Sequence, residues 1–179
     1  MSDLPLLTGL APRAGADARL LILGSMPGAA SLAAGAYYAH PRNQFWRLLA
    51  DLLDAPLAEL PYEERFPVLA GRGIALWDVI ACCARAGSLD ASIAADSLQV
   101  NDFKTFFAKH ARIADVFFNG ALAETLFRRR VLPGLACPLP HLCRLPSSSP
   151  AHAARDYATK LAVWRDALEP ALAAQGGAG

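Results

Sequence analysis

Short apolar segments that end in turn residues alternate with segments of helical periodicity along this chain, and this alternation limits its possible folds. Strands are predicted near residues 19–24, 74–79, 115–118 and 141–145. Helices are predicted near residues 43–54, 61–70 and 121–130. A further helix is predicted to begin at Asn101 and Asp102, after an irregular segment at residues 80–98. Strands separated by helices form parallel sheets covered on both faces. The pattern therefore predicts an α/β fold, a three-layer α/β/α sandwich with a central four-stranded, mainly parallel sheet.

A last helix is predicted to close the core of the domain. Ser149 is placed to cap this helix, and Pro150 suits its first position because proline has no N–H to lose there. Its apolar face has helical spacing and comprises Ala154, Tyr157, Leu161, Trp164 and Leu168. We expect one domain over residues 19–170, with a flexible N-terminal segment at 1–18 and a flexible tail at 171–179.

Composition excludes several classes of protein. A chain of 179 residues with 54% hydrophobic and 18% charged residues can bury a full core, so disorder is excluded. Residues 20–39 lack charge, but their proline, glycines and tyrosines interrupt any apolar run long enough to span a membrane. No basic region followed by an apolar stretch opens the chain, so we expect a cytoplasmic protein without a membrane partner.

Neither the cysteines nor the basic residues define a site. The spacing of Cys82, Cys83, Cys137 and Cys143 matches no common zinc or iron–sulfur pattern, so buried free thiols and no bound metal are expected. Three consecutive arginines, 128–130, fit two interpretations. They can form a local phosphate-binding face, or they can complement the dipole at a helix C-terminus.

Polar or glycine-rich loops follow each predicted strand. They are residues 24–28, Trp77-Asp78, Asn119-Gly120 and residues 146–149. Ligands of open parallel sheets bind beyond the carboxyl ends of the strands. These four loops, far apart in the sequence, are therefore predicted to line one crevice.

The motifs GSMPG, YYAHPRNQFW, GIALWDVI, FNG and LPSSSPAH, in this order over residues 19–168, resemble the uracil-DNA glycosylase superfamily, and most closely its hypoxanthine-DNA (deoxyinosine) glycosylase branch. The resemblance implies a monomeric, monofunctional DNA glycosylase of base excision repair without a cofactor. Its substrate would be double-stranded DNA with a deaminated base, namely hypoxanthine, with uracil as a further candidate. Such enzymes flip the nucleotide out of the duplex and hydrolyse the N-glycosidic bond.

Asn43 is the catalytic residue that the resemblance implies. Mismatch-specific relatives position the attacking water with an asparagine in the first motif, but that position is Met26 here, and a thioether cannot take this role. The hypoxanthine branch uses an asparagine further along the chain, and Asn43 matches it. An amide has little basicity, so it would hold the water through its carbonyl oxygen. Local sequence alone favours another role, in which Asn43 caps the helix that begins near Phe45.

The resemblance also implies a set of base-binding residues. Tyr38 would stack on the extruded base, and Asp78 would accept the N1–H of hypoxanthine, a donor that adenine lacks. Backbone N–H groups of the first loop would stabilise the departing base. The full set is Gly24, Ser25, Met26, Pro27, Gly28, Tyr38, Trp77, Asp78 and Asn119. Core packing for Tyr38 and a capping or ion-pair role for Asp78 are the structural alternatives.

The last loop resembles the family's minor-groove loop, which would contact phosphates through its hydroxyl groups. Its DNA-binding residues would be Pro146, Ser147, Ser148, Ser149 and His152. The serine run contains no bulky wedge, and Leu145 replaces the histidine of the uracil-specific branch, which disfavours strict uracil specificity. His152 has three interpretations: a wedge, a phosphate contact or a solvent-facing side chain.

Two alternatives to deoxyinosine excision remain open at this stage. One is a uracil- or mismatch-specific glycosylase of the same fold. The other is a non-catalytic nucleic-acid-binding module, in which Met26 marks lost chemistry. A serine hydrolase is disfavoured because the chain has no G-x-S-x-G elbow.

Overall fold

A computed structural model describes residues 4–136 and 140–176 of the chain. The strands among these residues are β1 (Leu6–Thr8), β2 (Leu20–Gly24), β3 (Ile74–Asp78), β4 (Ile80–Ala84), β5 (Gln99–Val100), β6 (Asp115–Asn119) and β7 (His141–Leu145). Four of them form a parallel sheet in the order β3-β2-β6-β7. The predicted α/β fold with a central four-stranded parallel sheet is therefore confirmed.

Helices cover both faces of this sheet. They are α1 (Ala29–Ala34), α2 (Phe45–Leu53), α3 (Arg65–Gly71), α4 (Phe103–Lys109), α5 (Ala121–Leu126) and α6 (Tyr157–Gly176). A 3₁₀ turn, Tyr62–Glu64, precedes α3, and a π-helical turn, Phe127–Val131, continues α5. Asp102 caps α4 as predicted, because its side chain accepts a hydrogen bond from the Thr105 N–H. The short helix α1 was not predicted from the sequence.

Alternation along the strands builds two separate cores. Leu20 and Ile22 of β2 face a core that includes apolar side chains of α2, α3 and α6. Leu21 and Leu23 face the opposite way, toward phenylalanines of α4 and Phe127 of the turn that continues α5. Successive side chains of a strand point to opposite faces, so a fully apolar strand can serve both cores. This arrangement gives the three layers that the sequence predicts.

The start of the last helix was predicted wrongly. The helix α6 begins at Tyr157, and residues 150–156 form turns. Asp156 provides the cap, because its Oδ1 accepts a hydrogen bond from the Thr159 N–H at 2.7 Å. Trp164 and Leu168 are buried as expected, whereas Ala154 lies outside the helix and is exposed. The Ser149-Pro150 pair is thus part of a loop.

A second, smaller sheet occupies the regions expected to be flexible or irregular. The strand β4 pairs antiparallel with both β1 and β5, and Leu6 lies opposite Ala84. Arg13 adds an antiparallel bridge to Leu76. Both contacts involve the described part of the segment predicted to be flexible, residues 1–18. At the other end, α6 continues to Gly176 through much of the predicted flexible tail, and residues 177–179 lie outside the described part.

Two further expectations concern metals and membranes. Cys83 is buried, Cys82 and Cys143 are partly buried, and all three are free, while Cys137 lies outside the described residues. Among residues 4–136 and 140–176, no group of three His, Cys, Asp or Glu side chains is placed to hold a metal ion. No helix in the same ranges is long and apolar enough to cross a bilayer.

Candidate active site

The carboxyl ends of the four parallel strands surround one cleft of about 400 Å³, a size typical of small-molecule sites. Gly24 ends β2, Asp78 ends β3 and Asn119 ends β6, so the sheet itself brings these residues together. The predicted site residues that line the cleft are Gly24, Ser25, Met26, Pro27, Gly28, Tyr38, Asn43, Asp78, Asn119, Ser147, Ser148, Ser149 and His152. The predicted convergence of distant loops is therefore present in the structure.

Asp78 is a buried carboxyl group at the floor of the cleft. Its side chain lies so close to Gly24 that a Cβ atom at residue 24 would overlap Oδ1, which explains the need for glycine there. Burial and the negative charge of Asp90 raise the pKa of Asp78 to about 7, although the Arg85 guanidinium opposes this shift. Oδ2 has no hydrogen-bond partner within the described chain. One oxygen of this buried carboxyl group is thus left without a partner inside the described protein.

Tyr38 forms a wall of the cleft in a strained backbone conformation. Its φ angle is 55°, in the left-handed region that non-glycine residues rarely adopt. The ring stacks on Phe45, with centroids 3.7 Å apart and an interplanar angle of 16°. Burial and the nearby Asp78 raise the pKa of the Tyr38 phenol, so the hydroxyl stays neutral. One face of the Tyr38 ring therefore packs on Phe45, which holds the ring in place beside the cleft.

Asn43 lies two residues before the start of α2, with its backbone N–H bonded to the His40 carbonyl oxygen at 2.9 Å. Its Oδ1 accepts a hydrogen bond from the Phe45 N–H at 3.0 Å, which stabilises the start of the helix. An amide oxygen has two lone pairs and the amide nitrogen two donors, so the side chain retains hydrogen-bonding capacity for the cleft. The capping contact expected from local sequence is therefore compatible with a second role.

Asn119 connects the sheet to the loop of residues 146–149 after β7, called here the serine loop. Its Nδ2 donates to Ser148 Oγ and its Oδ1 accepts from the Ser148 N–H, both at 2.8 Å. Ser148 is fully buried, and its carbonyl oxygen accepts a hydrogen bond from the Gln44 N–H at 3.0 Å. Gly120 follows at a φ of 106°, which lets the chain pass closely against Ser147. One asparagine thereby holds the serine loop beside the segment that carries Asn43.

Two predicted site residues lie outside the cleft. Trp77 packs against Phe103 and Phe106 of α4, and its Nε1 donates to the Leu10 carbonyl oxygen. Strand parity explains this position, because Trp77 faces the opposite side of β3 from Asp78. Pro146 lines a neighbouring cleft, and its carbonyl oxygen accepts a hydrogen bond from Trp164 Nε1.

The comparisons with known proteins identify the family of the chain. Residues 12–170 match the profile described as the Uracil DNA glycosylase superfamily. The chain belongs to this superfamily. Membership places it among the DNA N-glycosylases, in agreement with the order of the loops around the cleft.

Individual relatives of this superfamily are similar over most of the domain. The chain is 35% identical over 112 residues to a hypoxanthine DNA glycosylase of Methanosarcina barkeri strain Fusaro, covering 63% of this chain and 70% of the relative. It is 34% identical over 107 residues to a hypoxanthine DNA glycosylase of Methanosarcina acetivorans, covering 60% and 66% of the two chains. A solution NMR structure of a candidate uracil DNA glycosylase from Methanosarcina acetivorans superposes with a TM-score of 0.73, at 28% identity over 90% of this chain and 98% of the other.

Sequence reasoning missed one wall of the cleft in this glycosylase. Residues 88–91, after β4, line the cleft beside the glycine-rich loop. Ser25 Oγ donates to Asp90 Oδ1 at 2.7 Å, and the Ala29 N–H donates to Ser88 Oγ at 2.9 Å. His40 was also missed; its Nδ1 accepts a hydrogen bond from the Arg42 N–H. The irregular pattern of residues 80–98 gives no local signal for these contacts.

A basic side cleft adjoins the active-site cleft of the glycosylase. It has a volume of about 380 Å³ and shares Ser147 and His152 with the main cleft. Its cationic lining residues are Arg144, Arg155 and Lys160. Arg144 pairs with Glu124 at 3.4 Å, and Lys160 is buried with its Nζ bonded to Gln44 Oε1. The arginines 128–130 follow α5 and line neither cleft, although Arg128 pairs at 3.0 Å with the same Glu124 carboxylate that Arg144 contacts.

Proposed function

We propose that this DNA glycosylase is monofunctional and excises hypoxanthine from deoxyinosine in double-stranded DNA, as part of base excision repair. The observation that carries the proposal is the meeting of Tyr38 and Asn43, from the segment before α2, with Asp78, at the end of β3, in one cleft of about 400 Å³. The Methanosarcina relatives, which are named hypoxanthine DNA glycosylases, support this choice of base. The enzyme would act as a monomer in the cytoplasm.

Recognition of the base begins after the nucleotide has left the duplex. Flipping costs roughly a few kcal/mol, and least for a poorly paired base, so a deaminated base is extracted more easily than a normal one. The exposed face of Tyr38 would stack on the purine, while Phe45 supports the other face of its ring. The unpartnered Oδ2 of Asp78 would accept the N1–H of hypoxanthine. Uracil offers a comparable N–H donor and is a secondary substrate on this proposal.

Hydrolysis then requires a positioned water and a stabilised leaving group. Asn43 would hold the water through the lone pair of Oδ1 that Phe45 does not use. Backbone N–H groups of Ser25, Met26 and Gly28 would stabilise the departing base, but Pro27 has no N–H to contribute. The lining of the cleft includes no lysine among the described residues, so water rather than an amine is the proposed nucleophile.

The basic side cleft supports contact with the DNA backbone. Arg144 and Arg155 line this cleft beside Ser147, next to the place where the flipped nucleotide would enter. Arginine binds phosphate through several N–H donors, and such contacts position the protein on DNA without reading sequence. We propose that this cleft takes phosphates next to the target nucleotide.

The test is a single-turnover excision assay on duplexes with one deoxyinosine or one deoxyuridine, in the presence of chelator. We expect alkali-labile abasic sites in the deoxyinosine duplex, with faster excision than from the deoxyuridine duplex. Faster excision of uracil would support a uracil- or mismatch-specific enzyme instead. DNA binding without excision of either base would support the non-catalytic module, and loss of activity with chelator and its return with zinc would overturn the proposed mechanism.

A further inference from the structure

One large apolar side chain stands exposed at the mouth of the active-site cleft. Within the described chain, the exposed large apolar residues are Leu4, Leu6 and Leu89. Leu89 is 56% exposed, and it alone of these three lines the cleft. Single exposed leucines are common on protein surfaces, so exposure by itself is no evidence of function. The position of Leu89 and the way its segment is held make it different.

The chain is anchored on both sides of Leu89. Before it, Ser88 Oγ accepts the Ala29 N–H at 2.9 Å, and after it, Asp90 Oδ1 accepts Ser25 Oγ–H at 2.7 Å. The Ser92 N–H also donates to the Leu89 carbonyl oxygen at 3.0 Å. These side-chain contacts join the segment to the loop that follows β2 and to the first residue of α1. The leucine is therefore held at the rim by its neighbours while its own side chain stays in solvent.

A buried arginine strengthens the same attachment. The side chain of Arg85 is 2% exposed, and its Nε donates to the Gly87 carbonyl oxygen at 3.0 Å. Its Nη2 donates to the Pro27 carbonyl oxygen. The guanidinium group thus ties the segment before Leu89 to the glycine-rich loop, at the cost of burying a charge. Such an arrangement fixes the position of the rim relative to the cleft.

The opposite rim lacks a comparable side chain. Residues 147–152 read Ser-Ser-Ser-Pro-Ala-His, with no large aliphatic or aromatic hydrocarbon group. When a nucleotide leaves a duplex, the gap in the stack must be filled, and proteins that open base steps insert side chains such as leucine, methionine or phenylalanine. The serine loop is therefore suited to binding phosphates and not to filling the gap in the base stack.

We propose that Leu89 is the wedge that enters the DNA duplex at the position vacated by the target base. This inference rests on the proposed function, because a wedge is useful only to an enzyme that flips a nucleotide. The anchored segment on one rim would fill the gap, and the serine loop on the other rim would hold the backbone.

The experiment compares Leu89→Ala with Leu6→Ala, a control that removes a leucine 61% exposed on β1 and outside the cleft. Excision is measured under single-turnover conditions on a duplex with deoxyinosine and on the same strand without its complement. Because a single strand has no duplex stack to open, Leu89→Ala should lower duplex excision about tenfold or more and single-strand excision less than about twofold. Leu89→Met should restore duplex excision, and Leu6→Ala should match the wild type.

A second readout does not depend on excision. In a duplex with 2-aminopurine next to the target base, wild-type binding should raise the fluorescence as the stack opens, and Leu89→Ala should abolish the rise. Equal losses on duplex and single strand, no loss in either, or a loss with His152→Ala and not with Leu89→Ala would overturn the wedge. If the wild type excises no base, the proposed function fails, and the fluorescence alone then tests whether Leu89 acts as the wedge. Absence of a wild-type rise would then overturn the wedge as well.

Discussion

Asn43 shows how one side chain can serve both the fold and the proposed chemistry. The Phe45 N–H occupies one lone pair of its Oδ1, so replacement of the side chain affects helix α2 as well as the cleft. A loss of activity in Asn43→Ala would therefore be ambiguous by itself. A serine hydroxyl can accept a hydrogen bond from the N–H two residues later, as asparagine does here. Asn43→Ser thus preserves the cap and removes the amide.

Excision by Asn43→Ala should fall by about a hundredfold or more, the scale of losing a positioned polar group near a transition state. Its free energy of unfolding should fall by about 1 kcal/mol, because the cap is lost. Asn43→Ser should lose a similar share of activity with nearly wild-type stability. Single-turnover kinetics and thermal unfolding measure the two effects. Full excision by either variant, at matched stability, would exclude Asn43 as the water-positioning residue.

Asp78 gives a prediction about pH and stability. Its pKa is raised from 3.8 to about 7 by burial and Asp90, so between these values the folded protein holds a proton that the unfolded chain has released. This contribution of Asp78 makes the free energy of unfolding fall as pH rises from about 4 to about 7. Asp78→Asn cannot ionise, so its stability relative to the wild type should increase across that window.

Thermal unfolding of both proteins between pH 4 and pH 8 measures the effect of Asp78. The control is Asp96→Asn, which makes the same replacement at an exposed carboxyl group. Parallel stability curves for wild type and Asp78→Asn would show that the buried carboxyl does not titrate in this range.

Met26 illustrates why a substitution suggested by relatives must be judged in its surroundings. Restoring asparagine at this position would copy the mismatch-specific relatives. Met26 is 6% exposed and packs with Ile80 and Cys83 of β4 in a small core beside the second sheet. An amide placed there would lose its hydrogen bonds to water, which costs stability. Met26→Asn is therefore a poor control for the position of the catalytic water.

At the scale of elements, the serine loop depends on the end of strand β6. Asn119 makes two hydrogen bonds to Ser148, and the Ser148 carbonyl oxygen receives the N–H of Gln44. This chain of contacts passes from the sheet through the loop to the residue after Asn43. We assign Asn119 a positioning role, because both hydrogen bonds link two parts of the protein.

Asn119→Ala should leave the Oγ and the N–H of the buried Ser148 without their Asn119 partner and lower the free energy of unfolding by roughly 1–3 kcal/mol. The excision rate should also fall, because a shift of the serine loop moves the Asn43 segment. Ser148→Ala retains the backbone contact and should have smaller effects. The double variant completes a cycle that measures coupling. Unchanged excision in folded Asn119→Ala would restrict this residue to a structural role.

At the scale of the whole molecule, charge is distributed locally. The formal net charge is +1, which gives little overall attraction to DNA, whereas Arg144 and Arg155 lie together beside the cleft. Each phosphate contact releases counterions and steepens the salt dependence of binding. The side cleft should therefore determine the salt dependence of DNA affinity more than the total charge does.

Arg144→Ala and Arg155→Ala should each weaken DNA binding, and each should reduce the slope of log affinity against log salt by about 1. Arg129→Ala is the matched control, because Arg129 follows α5 at the end away from the clefts and is exposed. Binding titrations on an uncleaved duplex at several salt concentrations measure the slope. The phosphate site would be contradicted if all three variants had the same slope as the wild type.

The sequence by itself determined the main sheet, the alternation of its layers and most of the cleft. Leu20 through Gly24 and Ile74 through Asp78 are short apolar runs bounded by turns, a pattern that few folds other than a buried parallel sheet satisfy. The carboxyl ends of the strands in such a sheet meet at one edge, so the positions of Gly24, Asp78 and Asn119 followed from the order of strands and helices along the chain. The alternation of side chains along β3 also implies that Trp77 faces away from Asp78, since residues 77 and 78 lie on opposite sides of the strand.

Only the tertiary structure decided the second sheet, the start of α6 and the wall that carries Leu89. Pairing of Leu6 with Ala84 joins residues far apart in sequence, and short-range periodicity has no information about such contacts. The local cap signal of Ser149 was overridden because Asn119 holds Ser148 in a loop, and Asp156 caps the helix instead. Hydrogen bonds from Ser25 and Ala29 place residues 88–90 at the cleft. Local propensity is weak compared with such long-range contacts, so the sequence pattern predicted the frame but not these attachments.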